Sequence, residues 1–114
     1  MSFFESELVQ AELDEISILQ EDIYKNAFEF PNMNKEEKLF HIGLMEKLLD
    51  KQQILYTRLK LSDDPEALEM KEKIHDTVKM LGFSPDSDMN VIFNSMSKLV
   101  ELMKSRVDRM DSDL

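Results

Sequence analysis

Residues that interrupt helices are scarce in this chain, since its 114 residues include only two glycines and three prolines. All-β folds need many turns, and turns are built largely from glycine, proline and small polar residues. The long stretches without such residues therefore favour an all-α protein. Pro31, Pro65, Gly82 and Pro85 divide the chain into four segments, each long enough for a helix.

The first two segments have the apolar spacing of amphipathic helices. We predict a first helix over residues 2–28, with a capping box at its start in which Ser2 and Glu5 satisfy free backbone amides. Pro31 ends it, because a residue before proline is disfavoured in the helical conformation. A second helix is predicted from Asn34, a good cap, to about residue 59. The inward positions of the first helix are Val9, Leu13, Ile16, Gln20, Ile23 and Ala27.

The boundaries of the last two segments are also marked by local sequence. Asp64 can cap a third helix over residues 65–81, and Pro65 suits its first position. Gly82 can take the left-handed conformation that ends it, with Phe83 folding back. A fourth helix begins within residues 84–88 and reaches about residue 110, followed by a frayed acidic tail, residues 111–114. The inward positions of the third helix are Ala67, Met70, Ile74, Val78 and Leu81.

Short connections between these segments predict an antiparallel, up-down-up-down bundle of about four helices, three long and one shorter, forming one domain over residues 1–110. The fourth helix carries a methionine every seven residues, a spacing typical of coiled-coil-like packing. This stripe is either a core seam or an adaptable surface for partner helices. Its members are Met89, Met96, Met103 and Met110.

The second helix is apolar over about 200° of its circumference, about twice the width of a one-sided face. One stripe consists of Ile42, Met45, Leu49, Tyr56 and Leu59, with Gln52 among them, and the other consists of Phe40, Leu44, Leu48 and Leu55. A third helix of about 25 Å cannot cover a second helix of about 39 Å.

We therefore predict that Phe40, Leu44, Leu48 and Leu55 bind a partner, first of all a second copy in a homo-oligomer such as a dimer. Burial of this stripe within one chain is the alternative. Gln52 is expected to hydrogen-bond across to another helix. Gly43 is either a surface glycine or a close crossing with another backbone.

The charge balance limits the classes of partner. Lysine and arginine number 14 against 24 aspartate and glutamate residues, a net charge of −10. Such a surface repels nucleic acid and favours a basic patch on a protein partner. No apolar run is long enough to span a membrane, and the first residues do not resemble a signal peptide. We therefore expect a cytoplasmic protein that binds neither nucleic acid nor membrane.

Catalytic chemistry has little support in the residues. The absence of cysteine excludes disulfides and thiolate catalysis. Glu72 and His75 have the Glu-x-x-His spacing of di-metal helical bundles, but a second such pair is lacking. Asp86, Asp88 and Asn90 imitate an EF-hand start, yet the later glycine and glutamate are missing. We expect no enzyme activity, cofactor or metal site, with a metal-dependent bundle enzyme at Glu72 and His75 as the alternative.

Several runs, taken together, resemble a small uncharacterised all-helical family of cyanobacteria and the myoviruses that infect them. These runs are MSFFESE at residue 1, KQQILYTRL at residue 51, LSDDPEA at residue 61, MLGF at residue 80 and DMNVIF at residue 88. The resemblance covers about residues 1–107 and implies a domain without assigned catalytic residues. It also implies a cyanobacterial cytoplasm or a phage copy acting there, where modulation of a host complex such as RNA polymerase or the photosynthetic apparatus is expected. A phage structural component is the alternative.

Overall fold

A computed structural model describes residues 3–80, 82 and 89–110. These residues form four α-helices and no strand, so the prediction of an all-α bundle is confirmed. Two short 3-10 segments, Phe3–Glu5 and Ala27–Asn32, lie before and after the first α-helix. The helices are α1 (Glu7–Asn26), α2 (Lys35–Lys60), α3 (Pro65–Met80) and α4 (Met89–Met110).

Three of the predicted helix boundaries are confirmed by their local hydrogen bonds or geometry. The Asn34 side chain accepts a hydrogen bond from the backbone N–H of Glu37 at 2.9 Å, which caps α2. The Asp64 carboxylate accepts one from the N–H of Glu66 at 3.0 Å, which caps α3. Gly82 has a φ of +94°, the left-handed conformation expected beyond a helix end.

The predicted bounds of the first helix are wrong. Phe3–Glu5 is a 3-10 turn, Ser6 is extended, and α1 begins only at Glu7. The backbone N–H of Phe3 donates to the Asp64 carboxylate, so this turn is held by the α2–α3 connection instead of continuing α1. At the other end, residues 27–32 are 3-10 helix around Pro31. Ser2, Phe83, the predicted start of α4 at residues 84–88 and the predicted tail at 111–114 lie outside the described residues.

The central element is α2, against which all three other α-helices pack. Its antiparallel pairing with α1 follows from an ion pair between Glu12 and Arg58, with N···O at 3.1 Å, and another between Glu15 and Lys51. Its antiparallel pairing with α4 follows from contacts at both ends, Glu46 with Lys104 and Tyr56 with Phe93. Helix α3 contacts α2 and the turn Phe3–Glu5.

This arrangement differs from the predicted up-down-up-down order, in which α2 and α4 would lie on a diagonal of the bundle. Here the α2–α4 contact is the most extensive one between helices of the described chain. The reason is the wide apolar arc of α2, which can be buried against α1 on one side and α4 on the other.

Two clusters of buried side chains lie along α2. The first joins α3 to α4 around Val78, Met89, Ile92 and Phe93, with Tyr56 and Met96 packed against them. The second joins α2 to α4 around Ile42, Val100 and Val107, with Met45, Met103 and Phe30 packed against them. Three of the four methionines at seven-residue spacing therefore belong to the core, and only Met110 is exposed.

A few individual positions differ from the predicted inward pattern. Ala27 and Met70 are exposed, whereas Leu19, which was not predicted to face inward, is buried. Leu81 lies outside the described residues. Gly43 lies on the exposed side of α2, and a Cβ added there would meet nothing within 4 Å, so it is a surface glycine and not a close crossing.

The molecule is thin and elongated, with extents of 56 × 32 × 19 Å. Its shortest dimension equals about two helix diameters. Its radius of gyration is 16.5 Å, against about 13 Å for a compact chain of this length. The helices thus form a thin layer instead of a closed, square bundle.

Candidate interaction surface and ligand cavity

The four residues predicted to bind a partner differ in exposure. Phe40 has 71% of its surface exposed, whereas Leu44, Leu48 and Leu55 are half-buried. The stripe on α2 therefore does not present one continuous apolar face to solvent.

The leucines of this stripe lie on the side of α2 that faces α1. Lys51, which pairs with Glu15 of α1, lies one heptad after Leu44 and four residues before Leu55, and therefore on the same side of the helix. The hydrogen bond from Lys51 holds the pKa of the exposed Glu15 carboxyl below its usual value. Helix α1 therefore packs on the side of α2 that carries the three leucines, while α4 packs against Ile42, Met45 and Leu49 of the first stripe.

Three aromatic side chains remain exposed near the connection between α1 and α2. Tyr24 is 72% exposed, Phe28 is 90% exposed and Phe40 is 71% exposed. We call Tyr24, Phe28 and Phe40 the aromatic corner. Sequence reasoning found only Phe40. The sequence does hold a signal for Phe28. It is a large apolar residue directly after Ala27, the last predicted inward position of the first helix, and it does not belong to that inward face.

The segment that carries Phe28 is held in place by contacts of the neighbouring Phe30 ring. The Phe30 ring lies 5.4 Å from the His41 ring, and the Lys38 ammonium lies 5.7 Å from the Phe30 centroid. His41 is buried, and this burial lowers its pKa, which favours the neutral imidazole. Two residues that are close in sequence, Phe28 and Phe30, thus point to solvent and to the core respectively.

A cavity of about 510 Å³ lies at the other end of the molecule. Its floor is the C-terminal half of α2, and its two walls are α1 and α3. The turn that contains Phe3 and Phe4 and the first turns of α4 complete the lining of the cavity. Most of the lining is apolar and includes Leu13, Ile16, Leu55, Leu59, Ile74 and Phe93.

Among the described residues, the polar side chains of this lining are Gln20, Gln52, Lys73 and Thr77, together with the phenol of Tyr56. The expectation that Gln52 hydrogen-bonds to another helix is wrong, since neither its amide nor that of Gln20 has a partner among the described residues. Thr77 donates to the carbonyl of Lys73 at 3.0 Å. The Lys73 ammonium is exposed and lies 3.7 Å from the Glu69 carboxylate.

The residues considered for metal binding are not brought together. Glu72 and His75 are both exposed on α3. Within residues 3–80, 82 and 89–110, no group of three or more histidine, cysteine, aspartate or glutamate side chains could hold a metal ion. Asp86 and Asp88, the start of the EF-hand-like run, lie outside those residues.

Among the helices of the described chain, none combines the length and the apolar character that crossing a bilayer requires.

Comparison with known proteins places the chain in a family. Neither the curated proteins nor the solved structures include a match to the chain. A family model described as a domain of unknown function, DUF1825, matches residues 1–107. This range includes α1, α2 and α3 and most of α4, and it agrees with the range of the sequence resemblance. The chain therefore belongs to the DUF1825 family of domains of unknown function.

Proposed function

We propose that this protein is a non-enzymatic interaction protein of the cytoplasm that self-associates, first as a dimer, through the aromatic corner. The observation that supports this proposal is the exposure of Tyr24, Phe28 and Phe40 near one connection of the chain. Aromatic residues are enriched in protein interfaces and supply most of their hot spots. In this proposal Phe40 is the solvent-facing member of the predicted stripe, and the three leucines support it from below.

The corner supplies a large part of the area that a symmetric contact needs. A buried aromatic side chain removes about 150–250 Å² from water, and a standard interface needs about 800 Å² from each partner. Three largely exposed rings supply about half of that area. A two-fold axis through the corner would place the same rings of the second copy against them.

The acidic surface gives this dimer a characteristic salt dependence. Each copy carries a net charge of −10, so two copies repel one another at low ionic strength. Added salt screens this repulsion and strengthens apolar association. The same acidic surface, left free in the dimer, is suited to a basic patch on a larger protein assembly of the host.

Light scattering coupled to size-exclusion chromatography tests the proposal. The wild type should have about twice the chain mass of 13.4 kDa, and its dimer fraction should rise with salt. Phe28→Asp/Phe40→Asp should give the single-chain mass, because burying these charges at an interface is strongly unfavourable.

Leu61→Asp/Val91→Asp is the matched control, since both residues are exposed apolar positions outside the aromatic corner. This control should remain dimeric. A wild type of single-chain mass at every salt concentration, or a dimer that survives the double substitution at the corner, would contradict the proposal.

A further inference from the structure

We propose that the cavity between α1, α2 and α3 binds a small amphiphile that has an apolar chain and one anionic head group, such as a medium-chain carboxylate. This inference does not depend on self-association at the aromatic corner, which lies on a different part of the molecule.

The cavity is a cleft of about 510 Å³ that is open to solvent on one side, and it is not an enclosed void of the core. Small-molecule sites are typically ~300–1,000 Å³ with mostly apolar walls and a few polar groups. Water against such walls is easily displaced by an apolar chain.

The cavity exists because α3 does not close against the body of α1. Helix α3 contacts α2 and the turn Phe3–Glu5, and that turn is tied to Asp64 at the start of α3. The two walls are therefore joined at one end and stand apart along the rest of their length. The floor of α2 between them is only partly covered, since Gln52, Leu55 and Tyr56 are half-buried there.

Its length suits a chain of about ten carbons. The lining positions run from Gln52 to Leu59 on α2 and from Met70 to Val78 on α3. At 1.5 Å per residue these spans are about 11 and 12 Å. An extended alkyl chain with carbon–carbon bonds of ~1.5 Å covers this distance with about ten carbons.

The polar side chains of the cavity lining indicate which head group the amphiphile carries. Lys73 is the only charged residue among the described residues that line the cavity, and it is a cation in a chain with a net charge of −10. Its ammonium can leave Glu69, an exposed partner at 3.7 Å, for a carboxylate at the cavity mouth. The amides of Gln20 and Gln52 supply hydrogen bonds to polar atoms inside.

Calorimetric titration with sodium decanoate, 1-decanol and decyltrimethylammonium, each below its micelle concentration, tests the inference. We expect saturable binding of decanoate, weaker binding of decanol and the weakest binding of the cation. Lys73→Gln should weaken decanoate binding about fivefold, because it removes one exposed charge pair, and should leave decanol unchanged. Lys79→Gln, which removes a charge from an exposed residue of the same helix outside the cavity, should change neither.

A second variant distinguishes binding inside the cavity from binding elsewhere on the surface. Thr77→Phe adds a ring from the α3 wall into the cavity and should abolish binding of all three probes, while the helix content stays that of the wild type. Ile18→Phe, an exposed position on α1 that does not line the cavity, is its control.

The same titrations on Phe28→Asp/Phe40→Asp separate this inference from the proposed function. Binding should be unchanged in that variant whether or not the wild type is a dimer. Absence of saturable binding, binding that is indifferent to head-group charge, or binding that survives Thr77→Phe would overturn the inference. Loss of binding in the corner variant would overturn it too, since a second copy would then form part of the site.

Discussion

His41 is a buried imidazole whose ring packs on Phe30, and burial lowers its pKa. The unfolded chain, in which histidine titrates near ~6.5, therefore takes up a proton more readily than the folded one. As the pH falls through about 6.5, the unfolded state gains a proton that the native state does not, so stability decreases. Above this pH both states are neutral at His41 and its contribution is constant.

We predict that His41→Phe reduces the loss of unfolding free energy between about pH 7.5 and about pH 5.5. His75→Phe, the same chemical change at an exposed position, is the matched control. Urea denaturation at the two pH values measures both. Equal pH dependence in the wild type and His41→Phe would contradict this role of the buried ring.

Ile42 has 0% of its surface exposed and joins α2 to α4 in the second core cluster. Removing its side chain leaves a cavity in a close-packed region. We expect Ile42→Ala to lower the unfolding free energy by about 2–5 kcal/mol. Ile18→Ala, the same chemical change at a position that is 60% exposed, should cost no more than about 0.5 kcal/mol. Chemical denaturation provides the comparison, and similar losses in both variants would show that the second cluster is not a stabilising core.

Single residues of the site were only partly predictable from the sequence. The spacing of apolar residues on α2 led to Phe40, which is exposed, and also to Leu44, Leu48 and Leu55, which are half-buried. Periodicity reports how wide an apolar arc is, not which neighbour covers it. Gln52 was recognised as a polar residue in an apolar seam, yet its position at a cavity depends on where α3 lies, which periodicity does not reveal.

At the scale of elements, the two glycines should respond to alanine in opposite directions. Gly43 is helical, and an added Cβ meets nothing within 4 Å, so Gly43→Ala should stabilise the protein by about 0.5–1 kcal/mol. Gly82 has a φ of +94°, which costs an L-residue about 1–2 kcal/mol, so Gly82→Ala should destabilise it. Thermal denaturation measures both, and a change of the same sign in the two variants would contradict the assigned conformations.

The α-helices should also differ in local stability. Helix α2 packs against all three others, whereas α3 has its main contacts with α2 and the turn Phe3–Glu5, meets α4 at Val78 and borders the cavity. We therefore expect the amides in the middle of α2 to exchange with solvent most slowly and those of α3 to exchange faster. Hydrogen exchange followed by mass spectrometry of peptides resolves the two helices. Slower exchange in α3 than in α2 would contradict the central position of α2.

Element boundaries were predictable where a local residue determines them. Asn34, Asp64 and Gly82 act on backbone groups within a few residues, so their roles follow from local sequence alone. The start of α1 was mispredicted because Phe3 bonds to Asp64, 61 residues away. A contact at that separation leaves no periodic trace in the sequence.

At the scale of the whole molecule, the thin layer should be visible in solution scattering. The corner variant Phe28→Asp/Phe40→Asp, which we expect to be monomeric, should have a radius of gyration near the 16.5 Å of the structure. A closed bundle of this length would give about 13 Å. Small-angle X-ray scattering distinguishes these values, and the smaller one would contradict the open arrangement of α1 and α3.

The pairing of helices was the least predictable level. Short connections indicate that consecutive helices are neighbours, and α2 does contact α1 and α3. They do not indicate that α4 returns to α2. That pairing follows from the wide apolar arc of α2, which the sequence showed but which a second chain could equally have covered.

The Tyr56 ring, near the end of α2, lies 6.1 Å from the Phe93 ring, near the start of α4. The chain thus leaves α2 and returns beside the same point after passing through α3. In topological terms α3 is an insertion into an antiparallel hairpin formed by the helices α2 and α4. A turn of a few residues could join these two helices directly. A shortened protein of this kind would keep the corner aromatics, but it would lose one wall of the cavity together with Val78, which packs against Met89, Ile92 and Phe93. The same helix therefore builds the cavity and completes the first core cluster, so neither can be removed without the other.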